Sequence, residues 1–140
     1  MRYVSGQMPA AITITAAAHS AILEAAAAAA PCEACGLLLG QGAHIAAAQP
    51  AANIHPEPLR HFEIDPAALI AAHKAARQGG PQVLGYFHSH PNGLARPSAT
   101  DAAMAAGDGR IWAIAAAGMA SMWRDDASGF EALSYAVKDG

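Results

Sequence analysis

Charge is scarce in this chain. Asp, Glu, Lys and Arg make up only 14% of 140 residues, with eight basic side chains against eleven acidic ones and a formal net charge of -3. A nucleic-acid binder advertises itself by a basic stripe, and this balance offers none, so nucleic acid is not the expected partner. Cysteine is scarcer still. Cys32 and Cys35 are the only two, and a lone C-x-x-C lacks the second pair that a zinc ribbon requires. A thioredoxin-like pair would open a helix after a strand. Here a helical segment precedes the motif and Leu37-Leu-Leu39 follows as a strand, which favours two quiet thiols. The apolar run from Ala16 to Ala30 is mostly alanine and carries His19 and Glu24, so it reads as a soluble helix and not as a membrane span. Residues Met1 to Ala18 lack the greasy centre of a secretory signal, and a cytoplasmic location is expected. Internal repeats are absent.

What remains is enough for one domain over residues 1–140 with a single core, although much of the 54% hydrophobic content is alanine and overstates the bulky part. Alternation in Ile12–Thr15 predicts a short strand, and the alanine-rich segment to about Ala30 a helix ended by Pro31. Gly36–Gly40 and His44–Ala48 read as two strands about a Gln41-Gly42 turn. Pro50, Pro56 and Pro58 mark Gln49 to Arg60 as a loop. His61–Ile64 is expected to be a strand, followed by a helix with Asp65 as cap and Pro66 at its first position, running to about Gln78. Gln82–Phe87 is the central strand. A short helix follows Ser98, and strands at Ile111–Ala116, Ser121–Arg124 and Phe130–Val137 close the chain, the last two joined by an Asp125 to Gly129 turn. The expected class is α/β (α+β), a mixed sheet flanked by helices.

One cluster stands out against this background. His88-Ser-His90-Pro91 is followed by Ser98 and Asp101, three potential metal ligands and a hydroxyl within fourteen residues. Residues i and i+2 of an extended chain point the same way, so His88 and His90 face one ion together. Ser98-Ala-Thr-Asp101 has the form of a helix start, and a carboxylate in that first turn can swing back toward the histidines. Two imidazoles and one carboxylate leave a fourth tetrahedral position for water, the ligand count of catalytic zinc, although iron or manganese would suit the same donors. Singly, each residue reads as a turn histidine or a helix cap. Jointly, at a strand-loop-helix junction, they read as a metal site. Surface or edge positions are expected for the other five histidines, with only His55 and His61 placed to approach a cleft. Trp112 and Trp123 are expected to pack against strands.

The pattern resembles the JAMM metalloproteases, the catalytically competent branch of the MPN-type domains, whose signature is an upstream glutamate, then H-x-H, seven residues, and S-x-x-D. His88, His90, Ser98 and Asp101 match it in spacing. The glutamate falls on Glu33 in Pro31-Cys-Glu-Ala-Cys-Gly-Leu-Leu-Leu-Gly40, and Asn53, Arg60-His-Phe-Glu-Ile-Asp-Pro66 and Gly85-Tyr-Phe-His-Ser-His-Pro91 are similar to the compact bacterial members. The resemblance covers most of the chain. It implies a cytidine-deaminase-like three-layer MPN fold, one catalytic zinc ion on His88, His90 and Asp101, Glu33 as general base, and Ser98 as a donor to the carbonyl oxygen of the tetrahedral intermediate. It also implies a substrate, the C-terminal tail of a small ubiquitin-like or sulfur-carrier protein, cut after its last residue at an amide or acyl bond. Two alternatives accompany that reading: a noncatalytic MPN-type interaction module, and a cell-wall or phage-tail peptidase.

Overall fold

The computed structural model describes residues 10–139. Strand β1 (Ile12–Thr15) runs straight into helix α1 (Ala16–Ala29), where the Thr15 hydroxyl caps the helix by accepting from Ala18 N at 3.1 Å. Strands β2 (Cys35–Gln41) and β3 (His44–Ala51) form a hairpin across a turn in which Gly42 has a positive φ of 58°. Helix α2 (Pro66–Arg77) is capped by Asp65, β4 (Gln82–Ser89) follows, and α3 (Ala99–Met104) starts at Ser98. Strands β5 (Ile111–Ala116), β6 (Met119–Asp126), β7 (Gly129–Leu133) and β8 (Tyr135–Lys138) complete the chain.

All eight strands join one mixed sheet in the order β7-β6-β5-β4-β2-β3-β1-β8, with β4–β5, β1–β3 and β1–β8 parallel and the other pairs antiparallel. The pleat sorts side chains to two faces. Leu38, Ile45, Phe87, Ala113 and Met122 meet Ala18 and Ile22 of α1 in the larger core, while Cys35, Leu37 and Val83 meet Ala72 of α2 in the smaller. These are the three layers that the resemblance implies, with α1 on one side and α2 on the other. Alanines on the inner face of α1 let that helix lie close to the sheet. At the centre, β4 and β5 approach so closely that a Cβ on Gly85 would collide with the backbone of Ile111.

Three local expectations are corrected. Phe130–Val137 is not one strand. It divides at Ser134 into β7 and β8, which lie at opposite edges of the sheet. The sheet therefore curls until its edges are bridged, with Ser134 O accepting from Ile12 N at 3.2 Å and the Tyr135 hydroxyl donating to Ala120 O at 2.7 Å. A period-two pattern cannot show that a single residue carries the chain from one edge to the other. Second, β3 extends through Pro50, because that far along it pairs only with β2 and the missing N–H faces no partner. Third, His61–Ile64 forms only an isolated bridge, Ile64 to Asn53. The Asn53 side chain takes over the ladder's work, donating to Glu33 O (3.0 Å) and His61 O (2.9 Å) and accepting from His55 N and Glu63 N.

Asp125 fixes the far end of the segment leaving α3. Its buried carboxylate accepts from Ala106 N at 3.0 Å and Gly107 N at 3.1 Å. Asp125→Ala strips two backbone donors of their acceptor, and urea unfolding should show a loss of about 2–4 kcal/mol, with Asp125→Asn recovering part of it.

Candidate metal centre

β4 delivers the histidines. His88 is its penultimate residue and His90 lies just past its end, where His90 N still donates to Ala115 O at 2.8 Å and so keeps the β4–β5 direction. Both imidazoles therefore leave the sheet on one face. Asp101 comes from the first turn of α3 through a reciprocal cap: the Ser98 hydroxyl accepts from Asp101 N at 3.0 Å, and Asp101 Oδ2 accepts from Ser98 N at 2.9 Å. Three atoms converge as a result. His88 Nε2 and His90 Nε2 are 3.0 Å apart, and each lies 3.1 Å from Asp101 Oδ2. All three residues are at most 9% exposed.

This triangle fits a divalent cation. Bonds of about 2.0–2.1 Å in tetrahedral geometry place ligand atoms roughly 3.3 Å apart, close to the spacing found. His90 Nδ1 lies 2.8 Å from Leu94 O, a carbonyl that can only accept, so the proton sits on Nδ1 and the Nε2 lone pair faces the cluster. His88 is fixed by packing instead. Phe62 stacks on its ring at 4.4 Å and Trp112 meets it edge-on at 5.7 Å, while its Nδ1 is buried without a hydrogen-bond partner. Burial holds His88 below the ordinary imidazole value despite the Asp101 hydrogen bond and charge. For His90 burial also acts downward, but Asp101 and the Leu94 carbonyl outweigh it and the net shift is upward. Asp101 shows the complement: burial pushes its carboxyl up, and hydrogen bonds from both histidines overcome this and hold it well below the carboxylate range.

Glu33 approaches from the turn before β2. That turn is tied to the histidine strand, with Ala34 N donating to the Ser89 hydroxyl at 2.8 Å and Ser89 N to Ala34 O at 3.1 Å. Burial raises the Glu33 carboxyl to about 7, while His90 opposes the shift and Asp101 adds to it. A cavity of about 370 Å³ is lined by Glu33, His90 and Ser98, the last exposed at its rim. A second cavity of about 380 Å³ lies against Glu33, Asp101, Phe62 and Trp112. Glu33, Arg60 and Thr100 belong to both, so the carboxylate stands on the ridge between them. Of the candidates named from the sequence, Glu33, His90 and Ser98 line the first cavity and Asp101 the second, while His88 is wholly buried behind them.

Several partners were not legible as such. His55 and His61, the two remaining histidines expected to be able to approach a cleft, line the second cavity with their rings 4.8 Å apart. Phe62 and Trp112 pack against the His88 ring on two sides. Asn53 and Ser89 fasten the Glu33 turn, a role that the resemblance at Asn53 did not specify. Cys35 is buried and its thiol is pushed up to about 11, first by burial and then by Glu33, which makes it a quiet thiol. The structure holds both cysteines free. Among the described residues, no helix is long and apolar enough to cross a membrane.

Known proteins share this arrangement. The family described as prokaryotic homologs of the JAB domain matches residues 15–126. The desampylase of Haloferax volcanii is 33% identical over 136 residues, covering 91% of this chain and 96% of that protein. A probable TtuB-protein conjugate cleaving protease from Thermus thermophilus is 42% identical over 72 residues, spanning 51% of this chain and 48% of that one. The solution structure of a protein from Desulfitobacterium hafniense superposes with a TM-score of 0.81 at 31% identity, covering 92% of this chain and 94% of its own. With a match over most of its length and a His-His-Asp cluster at the sheet's end, the chain belongs to the prokaryotic homologs of the JAB domain, as a compact member of the JAMM/MPN family.

Proposed function

We propose that the protein is a zinc-dependent hydrolase that cleaves an amide or acyl bond after the C-terminal tail of a small ubiquitin-like or sulfur-carrier protein. One observation carries the reading: three donors converge to about 3 Å of one another, and two of them, His90 and Asp101, each share a cavity with Glu33, a carboxylate that is not one of the three. The relatives named for conjugate cleavage support the substrate class.

His88, His90 and Asp101 would hold the ion, which when bound supplies Lewis acidity and brings the pKa of a water toward neutrality. Glu33 would be the base that accepts a proton from the attacking water and the acid that returns it to the leaving amine or thiol. A carboxyl lifted by burial to about 7 is well matched to this exchange, and a cation beside it draws it back toward the basic form. Ser98 spends its oxygen lone pair on Asp101 N, which leaves its O–H free to donate to the substrate carbonyl as negative charge gathers there. The Leu94 and Phe62 contacts keep the two imidazoles aimed while these groups work.

Glu33→Gln should keep stoichiometric zinc by elemental analysis and lose roughly 100-fold or more of turnover on carrier conjugates, whereas His88→Ala and Asp101→Ala should lose both. Mass spectrometry of a carrier extended beyond its terminal glycines reads the product, and a chelator should abolish it. Wild-type turnover in Glu33→Gln would remove Glu33 from the mechanism.

The buried carboxyl also predicts a pH effect in metal-free protein. Its folded pKa, about 7, exceeds the ordinary 4.5, so its stabilising contribution is complete below pH 4.5 and is lost as pH rises through 7. Glu33→Gln has no charge to bury. Chemical denaturation of the two metal-free proteins should show the variant more stable at pH 8, by an amount on the order of 2 kcal/mol, with the difference fading toward pH 4.5.

A further inference from the structure

Arginine is rare here, and the structure uses it unevenly. Arg110 pairs with Asp108 at 3.0 Å, and Arg124 donates to Gly109 O at 3.0 Å. Arg60 and Arg96 stand apart. Both are exposed, both line the cavity that holds Glu33, His90 and Ser98, and among the described residues neither side chain has an ion pair or a hydrogen bond. The one carboxylate lining that cavity is Glu33, which the proposed reaction occupies.

Their backbones are held where solvated surface arginines need no holding. Arg60 lies between Pro58, whose carbonyl accepts from Glu33 N at 2.8 Å, and His61, whose carbonyl accepts from Asn53 Nδ2 at 2.9 Å. Arg96 follows Leu94, whose carbonyl takes the His90 Nδ1 hydrogen at 2.8 Å, and Ala95, whose carbonyl accepts from the Ser121 hydroxyl at 2.7 Å. Each arginine is thus carried by a segment hydrogen-bonded to a residue of the site. Two guanidinium groups from different loops, each anchored at its base and free at its tip, put two positive charges on the wall of a cavity whose one lining carboxylate is Glu33, in a chain that is negative overall.

We infer that Arg60 and Arg96 are specificity-determining residues that bind a carboxylate of the substrate next to the scissile bond. The planar guanidinium fork suits a carboxylate bidentately, and the cavity of about 370 Å³ has room for one or two residues beside the reacting carbonyl. That carboxylate is either the free C-terminus of a short leaving extension or an acidic side chain flanking the bond. The inference rests on the hydrolase reading and adds to it: the preferred bond is one with an anion beside it.

Metal-loaded protein is assayed on a small carrier protein extended by one or two residues beyond its terminal glycines. One arm compares the extension as free acid and as amide; the other compares Asp with Asn beside the scissile bond. Wild type should favour one charged form by roughly 10- to 100-fold in kcat/KM, expressed mainly in KM, and the arm that shows the preference identifies the source. Arg60→Gln and Arg96→Gln should compress that ratio toward one, while Arg60→Lys should keep part of it. Circular dichroism verifies that the exposed substitutions leave the fold intact. The same peptide pairs are titrated calorimetrically into metal-loaded Glu33→Gln, which reads binding without turnover. Charge-selective binding with no cleavage by wild type would refute the hydrolase reading and sustain this one. Equal handling of charged and neutral forms, a wild-type ratio in both Gln variants, or no binding of either form would overturn the inference.

Discussion

Two imidazole nitrogens and a carboxylate oxygen about 3 Å apart, on residues at most 9% exposed, cannot all present lone pairs to one another. Something positive must stand among them. In metal-free protein hydrogen bonds and charge across the cluster draw His90 up and Asp101 down against the effect of burial on each. The same demand explains why so much of the surrounding structure is devoted to aiming: a carbonyl fixes one ring, an aromatic sandwich the other, and a capping box the acid. An unfavourable arrangement of donors persists because the sheet, α3 and the Leu94 turn over-determine it.

Glu33 extends the same trade. A carboxylate that ionises only near neutrality costs the fold stability, and the Asn53 and Ser89 hydrogen bonds on its flanking backbone are what keep it in place. This JAMM-type site is braced from within the described fold. It relies on side-chain to backbone bonds that fasten irregular turns to the central strands.

The ligands were legible because their geometry is local. His88 and His90 need only the alternation of a strand, and Ser98 and Asp101 only the first turn of a helix. Glu33 was legible through the resemblance alone, since no periodicity relates a turn before β2 to the end of β4. The partners Phe62, Leu94 and Asn53 act through contacts that depend on the finished fold, and neither periodicity nor the resemblance assigns those contacts. Secondary structure shows the same division. β1, α1, α2 and β5 follow from periodicity and capping, whereas the break at Ser134, the strand through Pro50 and the loss of a strand at His61–Ile64 were each decided by what lay across the sheet.

That break has a mechanical meaning. Ser134 is the only residue between two strands that end the sheet on opposite sides, so the curled sheet behaves as a hoop closed by a single clasp. A pull on β8 is felt at β1 through its ladder and at β7 through the chain itself. Strain at either margin is thus passed to the other through one residue, and the end of β4 that carries the candidate ligands lies midway between them.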